Sequence, residues 1–120
     1  MLPAAARLRR KAEFSAAVRG GSRYGKPLIS GHLLVCPADE PARVGFVVNR
    51  AVGPAVVRNR VKRRLRHLAR GRLSSLPGGS LLVLRANPRA ATARQEDLAA
   101  ELDLVIAALL RRQDRARYSG

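Results

Sequence analysis

The sequence predicts an α/β sandwich, one sheet with helices packed on it, and three observations lead there. Segments 27–36, 43–52 and 80–86 are Val- and Leu-rich or alternate apolar with polar residues, the habit of strands. Segments 9–20, 54–70 and 92–112 space their apolar residues three or four apart, the habit of helices. The resulting order, α-β-β-(β)-α-β-α with a further strand allowed in the middle, suits a sheet covered by helices. At 120 residues, 47% of them hydrophobic, the chain fits one packed domain, placed at residues 1–112, with a polar, frayed tail at 113–120.

Taken in order, the first helix is RRKAEFSAAVRG, where Phe14 and Val18 stand one turn apart beside Ala17, and Gly20 and Gly21 end it. In PLISGHLLVC, Leu28, Ser30, His32 and Leu34 face one side, and Ile29, Leu33 and Val35 the other. Pro37, Asp39 and Pro41 make a turn, and RVGFVVNRAV follows as a second strand, near enough to pair with the first as a hairpin. Gly53-Pro54 opens the next helix, because proline suits the first helical position. Val57, Val61, Leu65 and Leu68 give that helix a single apolar stripe, and Gly71 closes it. LPGG turns the chain into SLLVLRA, a central strand. In the last helix Thr92 and Gln95 have capping-box spacing, Glu96 and Asp97 occupy the first turn, and Arg111 and Arg112 end it. Leu98, Leu102, Val105, Ile106 and Leu109 form its core face.

Charge says more about function than the elements do. Twenty-four Lys and Arg against eight acids leave a formal net charge of +16, a self-repulsion that a polyanionic partner relieves. Between Glu40 and Glu96 lie thirteen basic residues and no acid, while Glu96, Asp97, Glu101 and Asp103 gather in the last helix. An Arg-rich codon usage would raise Arg everywhere, but it would not remove acids from half the chain. In the helix at 54–70, Arg58, Lys62 and Arg66 form one i,i+4 row, and Arg60, Arg63, Arg64 and Arg70 surround it. Each like-charged step of such a row costs roughly 0.2–0.5 kcal/mol. Phosphates remove that cost, and the counterions they release drive binding. Arg presents a planar fork of donors that matches phosphate. Asn59 both donates and accepts, so it suits a base edge, a 2′-OH, or backbone at the helix entry.

Other classes fit less well. No run approaches the roughly 18–20 apolar residues of a membrane span, and the start lacks the apolar centre of a signal peptide. A cytoplasmic location with no membrane partner is therefore expected. Cys36 is the only cysteine; it makes no internal disulfide, holds no zinc alone, and reads as a buried, inert thiol. No acids, Ser/His/Asp or Cys/His groups converge, so neither a catalytic residue nor a protein-held metal is expected. The basic helix follows a strand rather than a helix and tight turn, and no zinc pattern or aromatic RNA-binding signature appears. RNA is thus preferred over DNA, with a structural, ribosomal-type RNA-binding protein as the alternative to a role in RNA processing.

The segment RVGFVVNRAVGPAVVRNRVKRRLRHLAR resembles the signature of the bacterial ribonuclease P protein subunit family. The matching positions are Val44-Gly45, Gly53, Ala55-Val56, Arg58-Asn59-Arg60, Val61 and Lys62-Arg63, with Arg66 a turn later. LRRKAEFSAAVRGGSR resembles the family's opening helix and GSLLVLRANPRA its strand ending in Arg, so the similarity spans residues 7–112. The resemblance implies a ribosomal-protein-like fold with a left-handed βαβ crossover. It also implies partnership with a catalytic RNA that removes the 5′ leader of precursor tRNA, using Mg²⁺ held mainly by that RNA. On the matching positions, Arg50, Arg58, Asn59, Arg60, Lys62, Arg63 and Arg66 would contact RNA. Phe14, Val18 and His32 would line the cleft that receives the leader. The chain departs from the family at Asn49-Arg50-Ala51, where Ser-Lys-Lys is frequent; at Pro54, where Asn is; and at Val18, where an aromatic is common.

Overall fold

The computed structural model describes residues 6, 7, 10–36 and 39–119, with side chains as far as residue 113. Its elements are α1 (Lys11–Gly20), β1 (Ser22–Gly25), β2 (Ile29–Val35), β3 (Arg43–Val47), α2 (Ala55–Arg70), β4 (Ser80–Ala86) and α3 (Gln95–Ser119). Arg9 of the expected first helix and Pro37 of the expected turn lie outside the described residues.

One four-stranded sheet forms in the order β1-β2-β4-β3. The expected hairpin between β2 and β3 is not made. β4 lies between them, antiparallel to β2 and parallel to β3. The reason is burial: Leu81, Leu82, Val83 and Leu84 are all buried, and only a central strand covers both faces at once. A parallel β3–β4 pair needs a long crossover, which α2 supplies. A hairpin does exist, between β1 and β2, tightened by the Lys26 N–H donating to the Ile29 carbonyl at 2.9 Å. The further strand is thus β1, which precedes the expected pair.

The alternation expected of β2 is observed from Ile29 to Val35, but Leu28, expected on the side of His32 and Leu34, precedes the strand and packs with Ile29 and Leu33. Ile29 and Leu33, with Val44, Leu82 and Leu84, meet Val61 and Leu65 of α2 and Leu98, Leu102, Val105 and Leu109 of α3. The opposite face, with Leu34, Leu81, Val83 and Val47, meets Phe14 and Ala17 of α1. Gly31 lets α3 lie close, since a Cβ there would stand 2.8 Å from Val105.

α3 is fastened to the rest by polar contacts. Glu101 accepts from the Leu28 N–H at 2.9 Å, and Arg72 on the stretch after α2 meets Asp103 at 2.5 Å. The Gln113 amide donates to Ser22 Oγ and to the Leu33 carbonyl at 2.9 and 2.8 Å. The helix continues to Ser119, so the boundary expected at residue 112 falls inside it; the side chains of residues 114–120 lie outside the described residues.

Three smaller expectations are corrected. Thr92 ends a 3₁₀ turn (Pro88–Thr92), and the Arg94 carbonyl takes the first helical N–H groups, from Asp97 and Leu98, so no capping box forms. Pro54 is the N-cap rather than the first helical residue. Cys36 is exposed, because β2 ends at Val35 and leaves it beyond the packed strand.

Glycines at the two helix ends differ in kind. A Cβ at Gly21 would come within 2.5 Å of the Ala17 and Leu33 carbonyl oxygens, whereas Gly71 has right-handed helical geometry and nothing within 4 Å. Gly21→Ala is therefore expected to cost about 1–3 kcal/mol, as overpacking does. Gly71→Ala should be neutral or stabilise by up to about 1 kcal/mol through the unfolded chain. Denaturant midpoints measure both, and equal effects would contradict the packing at Gly21.

Candidate nucleic-acid interface

α2 is held by its apolar stripe, with Val61, Leu65, Leu68 and Ala69 buried and Val57 partly so. Helical geometry then fixes where its cations go. Arg58, Lys62 and Arg66 run along one flank and are half-buried; Asn59, Arg63 and His67 point away from the core and are exposed, as is Arg60. Arg64, on the other flank, turns back to donate to the Ala93 carbonyl at 3.0 Å.

The ion pairs of the described residues are Arg43 with Glu13 and Glu40, Arg72 with Asp103, and Arg94 with Asp97. None involves Arg58, Arg60, Lys62, Arg63 or Arg66. Asn59 makes no side-chain hydrogen bond among the described residues, so its amide is not spent on local backbone. No side chain caps the start of α2 either, which leaves the positive end of the helix dipole beside Arg58 and Asn59. Arg50 is exposed on the turn before α2, where the Asn49 side chain accepts from the Ala51 N–H at 3.2 Å. Gly53 completes this entry at φ 154°, a backbone conformation that suits glycine.

The second group of expected residues lies on the sheet face that carries α1. Phe14 is half-buried, packed on Ala17, Leu81 and Val83, and Val18 one turn later is 47% exposed. The strand register puts His32 on the same face, beside Arg23 of β1, with Arg85 of β4 across from Ser30. Burial lowers the His32 imidazole below its ordinary value of 6.5, and Arg23 and Arg85 push the same way.

Two groups treated separately in the sequence meet at the edge of the sheet. Phe14, Lys62 and Arg66 line one depression of about 260 Å³, together with Arg7, Val44, Gly45 and Phe46. Arg7 reaches it because its backbone bridges Val44, a long-range pairing that leaves no local mark in the sequence. Arg23 and Arg85 were also missed. Arg85 was legible, since it shares the parity of Leu81 and Val83 in SLLVLRA; Arg23 sat in an unrecognised strand. Among the described residues no three His, Cys, Asp or Glu side chains converge, and no helix is long and apolar enough to cross a membrane.

Comparison with known proteins agrees with this geometry. The profile of the ribonuclease P family matches residues 2–110. The ribonuclease P protein component of a Nocardioides species is 58% identical over 105 residues, covering 86% of this chain and 90% of the relative. That of Streptomyces bikiniensis is 52% identical over 118 residues, covering 92% and 96%. Among solved structures, the Staphylococcus aureus RNase P protein superposes with a TM-score of 0.74 at 20% identity, covering 86% of this chain and 94% of that one. The Thermotoga maritima protein gives 0.72 at 23%, covering 82% and 96%. At those identities the two structures establish the fold.

The lowered proton affinity of His32 sets a pH dependence. The folded protein resists protonation there, so as pH falls below 6.5 the unfolded chain takes up the proton first and the fold loses stability. Replacing His32 by Gln is expected to flatten the fall in unfolding free energy between pH 7 and pH 5, measured by denaturant titration. An unchanged slope would show that the imidazole titrates freely.

Proposed function

The chain belongs to the ribonuclease P protein family, and from that premise we propose that it binds the catalytic RNA through α2 and receives the 5′ leader of precursor tRNA on the α1 face of the sheet. Family membership places it in tRNA processing as the protein component of a ribonucleoprotein, which leaves no need for the structural, ribosomal-type alternative. The observation that carries the proposal is the unpaired cluster on α2: five cations and one free amide, with no described carboxylate answering them.

Each part has a physical task. Arg58, Lys62 and Arg66 meet phosphates, and the guanidinium forks of Arg60 and Arg63 extend that contact outward. Asn59 and the uncapped start of α2 supply neutral donors for a nearby phosphate or 2′-OH. Phe14 offers a stacking face that tolerates any base. Because Phe14 shares a depression with Lys62 and Arg66, a strand leaving the α1 face reaches the α2 cations without crossing an acidic region.

Bond cleavage belongs to the RNA in this reading. Among the described residues no carboxylate pairs with the α2 cations and no three His, Cys, Asp or Glu side chains converge, so in this reading Mg²⁺ is left to the RNA phosphates. The protein's part is to lower repulsion between leader and catalytic RNA and to hold the leader in place. Its working location is the cytoplasm, where precursor tRNA is made.

Reconstitution with the cognate catalytic RNA tests the proposal. The protein should lower the Mg²⁺ needed for cleavage and bind precursor tRNA more tightly than mature tRNA; equal affinity with no effect on cleavage would refute it. Lys62→Ala should fold normally yet weaken assembly, and it should reduce the slope of log affinity against log salt by about 0.7–1, the loss of one phosphate contact. A slope equal to that of the unsubstituted protein would remove Lys62 from the interface. Phe14→Leu should reduce precursor discrimination more than assembly, and the opposite pattern would assign Phe14 to the core alone.

A further inference from the structure

We propose that an apolar depression at the C-terminal end of α2 is a nucleobase pocket. It receives one unstacked base of the catalytic RNA, while Arg70 at its mouth meets the adjoining phosphate. This rests on the reading that α2 binds that RNA, and it extends the contact to the end of the helix opposite Arg58 and Asn59. The pocket lies on the α2 side of the sheet, apart from the face that carries α1.

The depression has a volume of about 440 Å³, within the range of small-ligand sites. Its wall is made by Ala6, Ala42 and Leu76, which are buried, and by the half-buried Leu73. All four belong to the core cluster under α2 and α3, and none to the one under α1. The depression forms because the 3₁₀ turn Leu73–Ser75 carries the chain off the end of α2 before LPGG turns it back. The Gly79 N–H then donates to the Glu40 carbonyl at 2.8 Å. That bond ties the loop to the stretch before β3 and leaves the wall between them open among the described residues.

Charge at the mouth says what enters. Arg70 continues the row Arg58, Lys62 and Arg66 by one more turn, so successive cations are about 6 Å apart along the helix. Arg70 is exposed and has no ion pair among the described residues, whereas Arg43, next to Ala42, is taken by Glu13 and Glu40. The depression also adjoins the one that holds Lys62 and Arg66, since Ala6 lines the first and Arg7 the second. A strand held by its phosphates along the row therefore arrives at an apolar recess. Of its parts only a base has flat apolar faces, and unstacked bases are what proteins take up when they read single-stranded RNA. The polar edge of the base meets the Ser74 hydroxyl, which has no partner among the described residues, while Ser75 bonds the Arg72 carbonyl at 2.7 Å. A hydroxyl both donates and accepts, so the pocket favours an unstacked base over a paired one without fixing its identity.

Crosslinking and affinity in the reconstituted holoenzyme test the pocket. Cys36 is exposed, so Cys36→Ser comes first, and Ser74→Cys or Lys62→Cys then carries an azidophenacyl photoprobe. Both positions should crosslink the catalytic RNA, and position 74 should mark an unpaired nucleotide. Crosslinks from position 62 alone overturn this inference and leave the α2 reading standing. So do crosslinks from position 74 to a base-paired nucleotide, to the protein's own chain or to a second copy. Crosslinks from neither position overturn the α2 reading, and this inference with it. Ser74→Trp, which fills the recess from an exposed position, should weaken assembly about tenfold, the worth of one bound base, at an unchanged salt slope. Arg70→Ala should instead lower that slope by about 0.7–1. Removing the base of the marked nucleotide should cost as much as Ser74→Trp, and should cost that variant nothing further. Full assembly by Ser74→Trp, or additive losses from the two changes, would overturn the pocket.

Discussion

Repulsion among the cations of α2 is the constraint around which this protein is arranged. Arg58, Lys62 and Arg66 stand one turn apart, and Arg58 and Arg60 sit near the positive end of the helix dipole, where cations are disfavoured. Each of these terms is a few tenths of a kcal/mol. Burial of Val61 and Leu65, both fully inaccessible, contributes on the order of 1.5–3 kcal/mol apiece. The stripe therefore outweighs the repulsion several-fold, and α2 folds without its partner. What the stripe cannot do is neutralise the outer rows, so the helix keeps a standing affinity for polyanions.

Topology turns that affinity into a defined surface. Because β3 and β4 are parallel neighbours, the chain must cross from the end of one to the start of the other, and α2 makes the crossing. Its apolar stripe faces the sheet, so its unpaired rows face out beside the open edge of β3. α1 lies on the reverse face with Phe14 at that same edge. Acids are segregated as firmly: Glu96, Asp97, Glu101 and Asp103 all ride on α3, which covers the face that α1 does not. A cationic path from one face of the sheet to α2 follows from strand order and helix placement together.

Much of this was legible in the sequence, and what was not has physical reasons. The four-four-three spacing of Val57, Val61, Leu65 and Leu68 named the buried face of α2 and hence its exposed cations. Alternation in β2 put His32 on the right face. Strand pairing failed because closeness in sequence favours a hairpin only when no more apolar strand competes for the central place, and SLLVLRA competes. β1 was missed because Ser22–Gly25 offers four residues with no apolar alternation; β2 and Arg112, whose guanidinium lies 5.4 Å from the Tyr24 ring, hold it in place. Gly21 was rightly placed at a helix end, but its need for glycine comes from two carbonyl oxygens, one of them on β2. The depression joining Phe14 to Lys62 and Arg66 depends on Arg7 beside Val44, a pairing no local pattern encodes.

One acid does stand on the basic side, and its geometry explains why it is tolerated. Glu13 meets Arg43 through both carboxylate oxygens, at 3.0 and 2.5 Å, with both side chains a quarter exposed or less. A bidentate pair of this kind is strongly oriented and nearly neutral at a distance. It subtracts little from the positive field of α2, while fixing the first turn of α1 to the start of β3. Phe14 is the next residue along, so the pair sets the position of the aromatic face relative to Lys62 and Arg66. Without such a tie, α1 would rest on the small cluster of Ala17, Leu81 and Val83 and the close contact at Gly21. The carboxylate that a basic surface should exclude is kept because it is consumed in holding the two halves of that surface in register.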